Sequence, residues 1–499
     1  MRRGRRAEAR APKRNVDYRR LRNPFPPMRL FSDDEVAALH DAALDVLERL
    51  GIKVLSPEAC ALFERGGATR RDDMVFIGRE MVEAALASAP RRIELRAGAR
   101  DRDLTLELGS LVFQPGAGAP HATDLVNGRR PGDLKSFREL VQITHHFDVL
   151  QMMPPLIEPQ DVPTHTRHYA TLEAQLELSD KFPFIFSRGT GQVEQSFELL
   201  RDFRGLSDEA FVKDVHAYTI INTNSPRQLD VPMSLGLIDF ARFGQVSIVT
   251  PFTLMGAMAP ITVGGALTLS HAEALAAITL TQLVNPGAPV CYGTFTSNVD
   301  MKSGAPAFGT PEHFRASVLA GQLARHIGLP WRSASGSAAN LNDVQAANET
   351  QMGLWGCLMG GATVVIHAAG WLEGGLTVSY EKLVTDVEVL QMVAELCAAP
   401  DADLGIDALE EVQPGGHFFG AAHTMARYQT EFYDPLVADW SNFGTWTERG
   451  AVDATTRATG IWQGILSGPG FTGDGDRLEA FRAKAARMEA AGGALPEGG

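Results

Sequence analysis

PVCYGTFTSNVDMKSGAPAFGTPEHFRASVLAGQLARHIGLPWRSASGSAANLNDVQAANETQMGLWGCLMGGATVVIHAA, residues 289–369, holds three short apolar runs separated by two long amphipathic stretches. The runs PVCYGTF (289–295), LPWRSAS (329–335) and TVVIHAA (363–369) have the length and β-branched content of strands, and 311–327 and 343–359 read as helices. Working outward, the same unit recurs. Five earlier runs are LVFQPG (111–116), VLQMMPPLI (149–157), PFIFS (183–187), HAYTIIN (216–222) and VSIVTPF (246–252). Helical stretches at 132–146, 164–180, 192–204, 231–243, 264–284 and 379–397 complete the alternation. Eight β-α units in unbroken succession predict an α/β chain folded as a (β/α)8 TIM barrel over 110–399. A doubly wound sheet is the alternative, but the turn after the first run reads GAGAPH and fails GxGxxG.

The flanks read differently. Residues 1–28 form a basic, proline-rich arm, expected to be disordered or to pack on a neighbouring subunit. Its twin arginine is not followed by an apolar stretch, so it is not read as an export signal. Residues 29–109 predict a helical segment opened by a capping box, Ser32 with Glu35, and closed by a hairpin, IELRAGARDRDLTLEL. A helical and loop cover is expected over 400–475, with Trp440 and Trp446 packing it on the barrel, and a terminal helix with a frayed tail over 476–499.

Composition narrows the chemistry. A net charge of −14 excludes nucleic acid as a general partner. The four cysteines have no metal-ligand spacing and fit a reducing cytoplasm. No apolar run is read as long enough to span a membrane, so a cytoplasmic protein is expected. No lysine lies on a predicted strand, which argues against Schiff-base chemistry. No strand carries an HxH pair and no GxSxG appears, so no intrinsic metal and no nucleophile elbow are expected.

Barrel enzymes build their sites at the C-terminal ends of the strands. Those positions hold Glu158, Gln160 and Asp161; Ser187 and Arg188; Asn222 and Asn224; Phe252 and Met255; Tyr292, Thr294 and Phe295; Ser333 and Ser335; and His367, Trp371 and Glu373. The set is aromatic and amide-lined with few charges, which suits a quaternary ammonium held by cation–π contact and one carboxylate. The alternative is that Trp371 and Phe252 fill the core and Glu373 caps a loop.

Longer segments carry a resemblance. SDDEVAALHDAALDVLERLGIKV (32–54), VFQPGAGAPHATDLVNGRRP (112–131), IEPQDVP (157–163), WLEGGLTVSYEKLVTDVEVL (371–390) and GGHFFGAAHTMARYQTEFYDP (415–435) resemble, in order, the trimethylamine methyltransferase (MttB) superfamily. The resemblance spans about residues 30–470. It implies a TIM barrel that moves a methyl group from an amine to Co(I) of a corrinoid carried by a separate protein. The chain has no DxHxxG corrinoid signature; the nearest string, DVHAYT (214–219), lacks the glycine. Archaeal trimethylamine enzymes of the superfamily carry pyrrolysine, whereas this chain has only standard residues, with SASGSAANLNDVQ (333–345) in the roughly corresponding region. The resemblance therefore implies the non-pyrrolysine branch, which demethylates quaternary amines such as glycine betaine.

On that reading Trp371, Phe252, Tyr292 and Phe295 are candidate cage walls and Glu373 a candidate counter-charge. His367, Asn222 and Arg188 are candidates for a substrate carboxylate, and His417 and His423 for a corrinoid-facing rim. A methylated amine, a corrinoid protein and further copies of the chain are the expected partners. A binding protein without turnover, or a barrel enzyme of other chemistry, remains the alternative.

Overall fold

The structure, a computed structural model, describes residues 16–497. It is a mixed α/β fold built on eight parallel strands. These are β1 (Ser110–Phe113), β2 (Met152–Met153), β3 (Phe182–Pro183), β4 (Tyr218–Ile221), β5 (Val246–Val249), β6 (Val290–Gly293), β7 (Trp331–Ala334) and β8 (Val364–Ile366). A helix follows each: α1 (Leu134–His146), α2 (Arg167–Leu178), α3 (Thr190–Arg204), α4 (Val231–Arg242), α5 (Val263–Val284), α6 (Pro311–Ile327), α7 (Val344–Gly360) and α8 (Tyr380–Cys397). Every predicted unit is present. Strands β4 to β8 pair in sequence order and β8 returns to pair with β1, Val364 opposite Val112. β2 pairs with β3, and Ile185 N–H donates to Tyr218 O of β4 (2.9 Å).

Strand alternation sorts the side chains into two layers. Val112, Ile248, Cys291, Val364 and Ile366 share an inner cluster, whereas Leu111, Val249, Tyr292, Trp331 and Val365 belong to the larger core beneath the helices. The predicted hairpin, Ile93–Leu95 with Leu104–Leu106, adds its leucines to the inner cluster and hydrogen-bonds to Val215 just before β4. It fills the interior at the N-terminal ends of the strands and leaves the other end open.

Several expectations are corrected. Residues 29–109 are not only helical. Ile52–Val54, Thr69–Arg71 and Met74–Phe76 form a sheet with Gln228–Leu229, a pairing between distant segments that no local pattern announces. The capping box at Ser32 and Glu35 is present. The basic arm is ordered where it is described: Leu21–Arg22 pairs antiparallel with β1; residues 1–15 lie outside the described part. Helix α5 is long and apolar enough by length and composition to cross a membrane, contrary to the sequence reading; most of it is buried among other helices. Trp440 is 69% exposed rather than packed, while Trp446 donates its indole N–H to Val452 O (3.1 Å).

Candidate functional site

At the C-terminal ends of the strands a cavity of about 730 Å³ opens. Segments just beyond β1, β2, β3, β4, β5, β6 and β8 line it, and Arg332 reaches it from within β7. The wall is aromatic. Phe295 stands 5.0 Å from Phe252, 5.2 Å from Phe308 and 5.5 Å from Trp371, centroid to centroid. His367 lies flat on the Trp371 indole at 3.8 Å and 12°.

Glycines allow this packing. Gly336 and Gly375 have φ of 109° and 105°, and a Cβ on either would come within 2.0 Å and 2.4 Å of the indole. The double glycine of WLEGG is there because Gly375 backs directly onto Trp371. The turn is tied down from outside: Gly370 N–H donates to Asp386 Oδ2 (2.9 Å), and Asp386 pairs with Lys382 Nζ (2.8 Å), all buried. The neighbouring loop hangs on Glu349 of α7, which accepts from Ser337 Oγ and the Ala338 and Ala339 N–H groups.

Arg332 is the residue the sequence reading passed over. Its guanidinium is buried and sits 5.4 Å above the Phe295 ring. It donates to Thr294 O (3.3 Å) and lies 3.5 Å from His367 Nε2. Among the described residues no carboxylate lies within ion-pair distance of it, and its Nε has no partner. Burial pulls its pKa down to about 9, which leaves it cationic at neutral pH. Burial, and secondarily Arg332, drive the His367 pKa well below the ordinary value, so the ring is neutral. With Nε2 facing the guanidinium, the proton sits on Nδ1, which is buried and unpartnered, as is Trp371 Nε1. No lining residue is acidic. The cavity therefore holds one uncompensated cation beside an aromatic wall, a combination that accepts an anionic and a cationic group side by side.

Of the residues expected from sequence, Phe252, Phe295, His367, Trp371, Ser187, Arg188, Asn222 and Asn224 line the cavity. Arg188 is already occupied: it holds Glu158 through two bonds (2.7 and 2.8 Å) and covers Phe186. Burial raises the Glu158 carboxyl, but Arg188 and Arg167 outweigh it and hold the group below its usual range. Tyr292 is not in the cavity. Strand parity turns it outward from Cys291, and its hydroxyl meets His271 of α5 (3.0 Å). Glu373 points away too, into Arg129 of the hairpin His121–Thr123/Arg130–Pro131 (2.9–3.2 Å). His417 and His423 do not line the cavity; His423 bonds Asp403 (3.1 Å) and His417 lies beside exposed Phe419. Arg332 had a readable signal: an arginine inside the apolar run LPWRSAS, one position from Trp331 and so on the opposite face of the strand.

The family profile described as trimethylamine methyltransferase (MTTB) matches residues 1–493. The chain is 32% identical to the glycine betaine methyltransferase of Desulfitobacterium hafniense (strain Y51), over 89% of this chain and 93% of that one. It is 29% identical to a trimethylamine methyltransferase MttB of Desulfitobacterium hafniense (strain DSM 10664 / DCB-2), over 86% and 87%. Among solved structures it is similar to the monomethylamine methyltransferase of Methanosarcina barkeri, at 8% identity and a TM-score of 0.47 over 94% and 90% of the two chains.

Proposed function

The chain belongs to the trimethylamine methyltransferase (MTTB) family, and from that premise we propose that it is an enzyme transferring a methyl group from a short, carboxylate-bearing quaternary amine to the corrinoid of a separate partner protein. The observation that carries this reading is Arg332, buried beside Phe295 without a counter-ion. A simple ammonium would meet an uncompensated positive charge there, whereas a betaine brings its own carboxylate. With the guanidinium 5.4 Å from the ring, the two ends of a compact zwitterion reach both groups.

The scaffold is read as a closed (β/α)8 barrel. Supporting this, Gln151 N–H donates to Phe113 O (3.0 Å) and Phe113 N–H to Gln151 Oε1 (2.6 Å), bonds that link β1 to the start of β2.

Arg332 takes the carboxylate. Phe295, Trp371 and Phe252 enclose the trimethylammonium. A quaternary nitrogen leaves as a neutral amine, so the donor needs no activating electrophile, in keeping with a chain of standard residues. Positive charge drains from nitrogen during transfer, so the aromatic wall binds the ground state at least as well as the transition state. The wall then lowers KM, while rate comes from holding the N–CH3 bond in line in a pocket closed to water.

When the partner is bound, its cobalt supplies the nucleophile. At the rim, Leu376 borders the cavity with its apolar side chain exposed, which suits a bulky apolar ring. The test is methyl transfer from a panel of amines to chemically reduced cobalamin, followed by loss of the Co(I) absorbance, together with calorimetric binding of each amine. Turnover and binding with glycine betaine but not trimethylamine are expected. Equal activity on both, or silence across the panel with the cognate corrinoid protein present, overturns the reading.

A further inference from the structure

Between Leu404 and Phe443 ten large apolar or aromatic side chains are at least 42% exposed, Phe419 (83%), Phe432 (75%) and Phe443 (77%) among them. Only Ala408, Ala421 and Val437 are buried apolar residues in this stretch. Its two short helices, Ile406–Glu411 and Ala422–Arg427, therefore share almost no core of their own. The segment is rooted on the flank of α8. Val437 and Ala438 donate their N–H groups to Glu388, and Tyr433 donates to Gln391 (3.3 Å). On the same helix Met392 and Leu396, one turn apart, are exposed as well.

An exposed aromatic side chain presents about 150–250 Å², so this stretch exposes on the order of 1,000 Å² of largely apolar surface. That exceeds the ~300–600 Å² of the largest apolar patch on an ordinary monomer. It reaches the ~800 Å² that each partner brings to a stable complex.

We propose that the 404–443 arm is an interface between copies of this chain. Permanent interfaces resemble a core cut in half, whereas transient ones are no more apolar than the rest of a surface. An arm with so little internal core needs an occupant that is always present, and a second copy meets that condition. A partner that must leave at each turnover does not. The arm also stands apart from the proposed site, since none of its residues lines the cavity. The inference does not depend on which amine the cavity takes.

The test is sedimentation of the full chain across micromolar concentrations, with hydrogen exchange on the same samples. A stable oligomer with protected arm amides is expected. The double variant Phe419→Asp/Phe432→Asp should sediment as a monomer while keeping a cooperative melt and its amine binding. A monomeric wild type overturns the proposal, as does association only when the corrinoid protein is added, or an oligomer whose arm amides exchange freely. Should the double variant aggregate, exchange protection in the wild type decides.

Discussion

Arg332 is the one charged side chain in the cavity wall without a counter-ion among the described residues. A buried guanidinium with weak contacts to Thr294 O and His367 is an unusual expense for a core. Its replacement by glutamine should raise KM for glycine betaine by about 10–100-fold, the equivalent of the ~1.5–3 kcal/mol of a hydrogen bond to a charged group. Binding of choline, which lacks the carboxylate, should not weaken. Calorimetry on both amines checks this, and equal losses would remove Arg332 from the carboxylate. The substitution should also raise the melting temperature of the free protein, because it removes a buried charge that has no counter-ion. Glu373 makes the opposite case. Its ion pair is with Arg129, whose side chain is 47% exposed, and such pairs contribute about 0–1 kcal/mol. Glu373→Gln should leave KM within about a factor of two by that argument; a rise of tenfold or more in steady-state assays would restore it as a counter-charge.

At the scale of elements, the site depends on how the segment after β8 is pinned. His367 and Glu373 both have positive φ, 56° and 52°, and Gly370, Gly374 and Gly375 stand with them in that backbone region. Such a segment keeps its shape only if neighbouring helices hold it. Helix α8 does so through Asp386, which accepts the Gly370 N–H and pairs with buried Lys382; Lys382 in turn donates to Thr350 of α7. Burial raises the Asp386 carboxyl above its usual range against the opposing pull of Lys382. Asp386→Ala would strand Lys382 and free the Gly370 amide, and should cost about 3–5 kcal/mol in urea unfolding. The double variant Lys382→Met/Asp386→Leu should recover much of the loss, since it removes both charges together. If the single variant unfolds like wild type, the pin is not what holds the turn.

Over the whole molecule, buried histidines set the acid stability. Burial lowers His40, His168, His216 and His313 to about 4, and His145 to about 3. In the unfolded chain they titrate near 6.5, so below that pH the unfolded state binds protons that the native state does not. Their contribution to stability is therefore constant above about pH 6.5 and falls as pH drops toward 4. Asp239 acts in the other direction: burial raises it to about 6, so its protonation favours the native state between about 6 and 3.8. Burial raises Asp386 and Glu273 as well, but it also lowers His146, His271 and His367, and the lowered imidazoles outnumber the raised carboxyls, which leaves the net slope positive with pH. Urea unfolding at a series of pH values measures it. His313→Gln should flatten the slope, since His313 now accepts from Gly309 N–H and donates to Ala334 O and cannot be protonated without losing the first bond. A slope unchanged by that variant would place the titrating groups elsewhere.

The eight strand-helix units, their order, the Ser32 capping box and most of the aromatic wall are legible in the amino-acid sequence. Strands and helices write themselves locally, through periods of 2 and 3.6 and through caps a few residues away, so distant contacts are not needed to read them. Phe295, Trp371 and His367 were legible because positions just past strand ends converge once the strands run parallel. Orientation and company come from folding. Tyr292 and Arg332 both lay within predicted strands, yet one faces α5 and the other the cavity, and that parity follows from which neighbours each strand pairs with. Arg188, Glu373 and His423 looked available in the sequence and are taken by Glu158, Arg129 and Asp403. Arg332 looked like one more polar residue in a strand and is left without a counter-ion. Charge pairing acts across space between residues far apart in the chain, so the availability of a charged side chain is a property of the folded molecule.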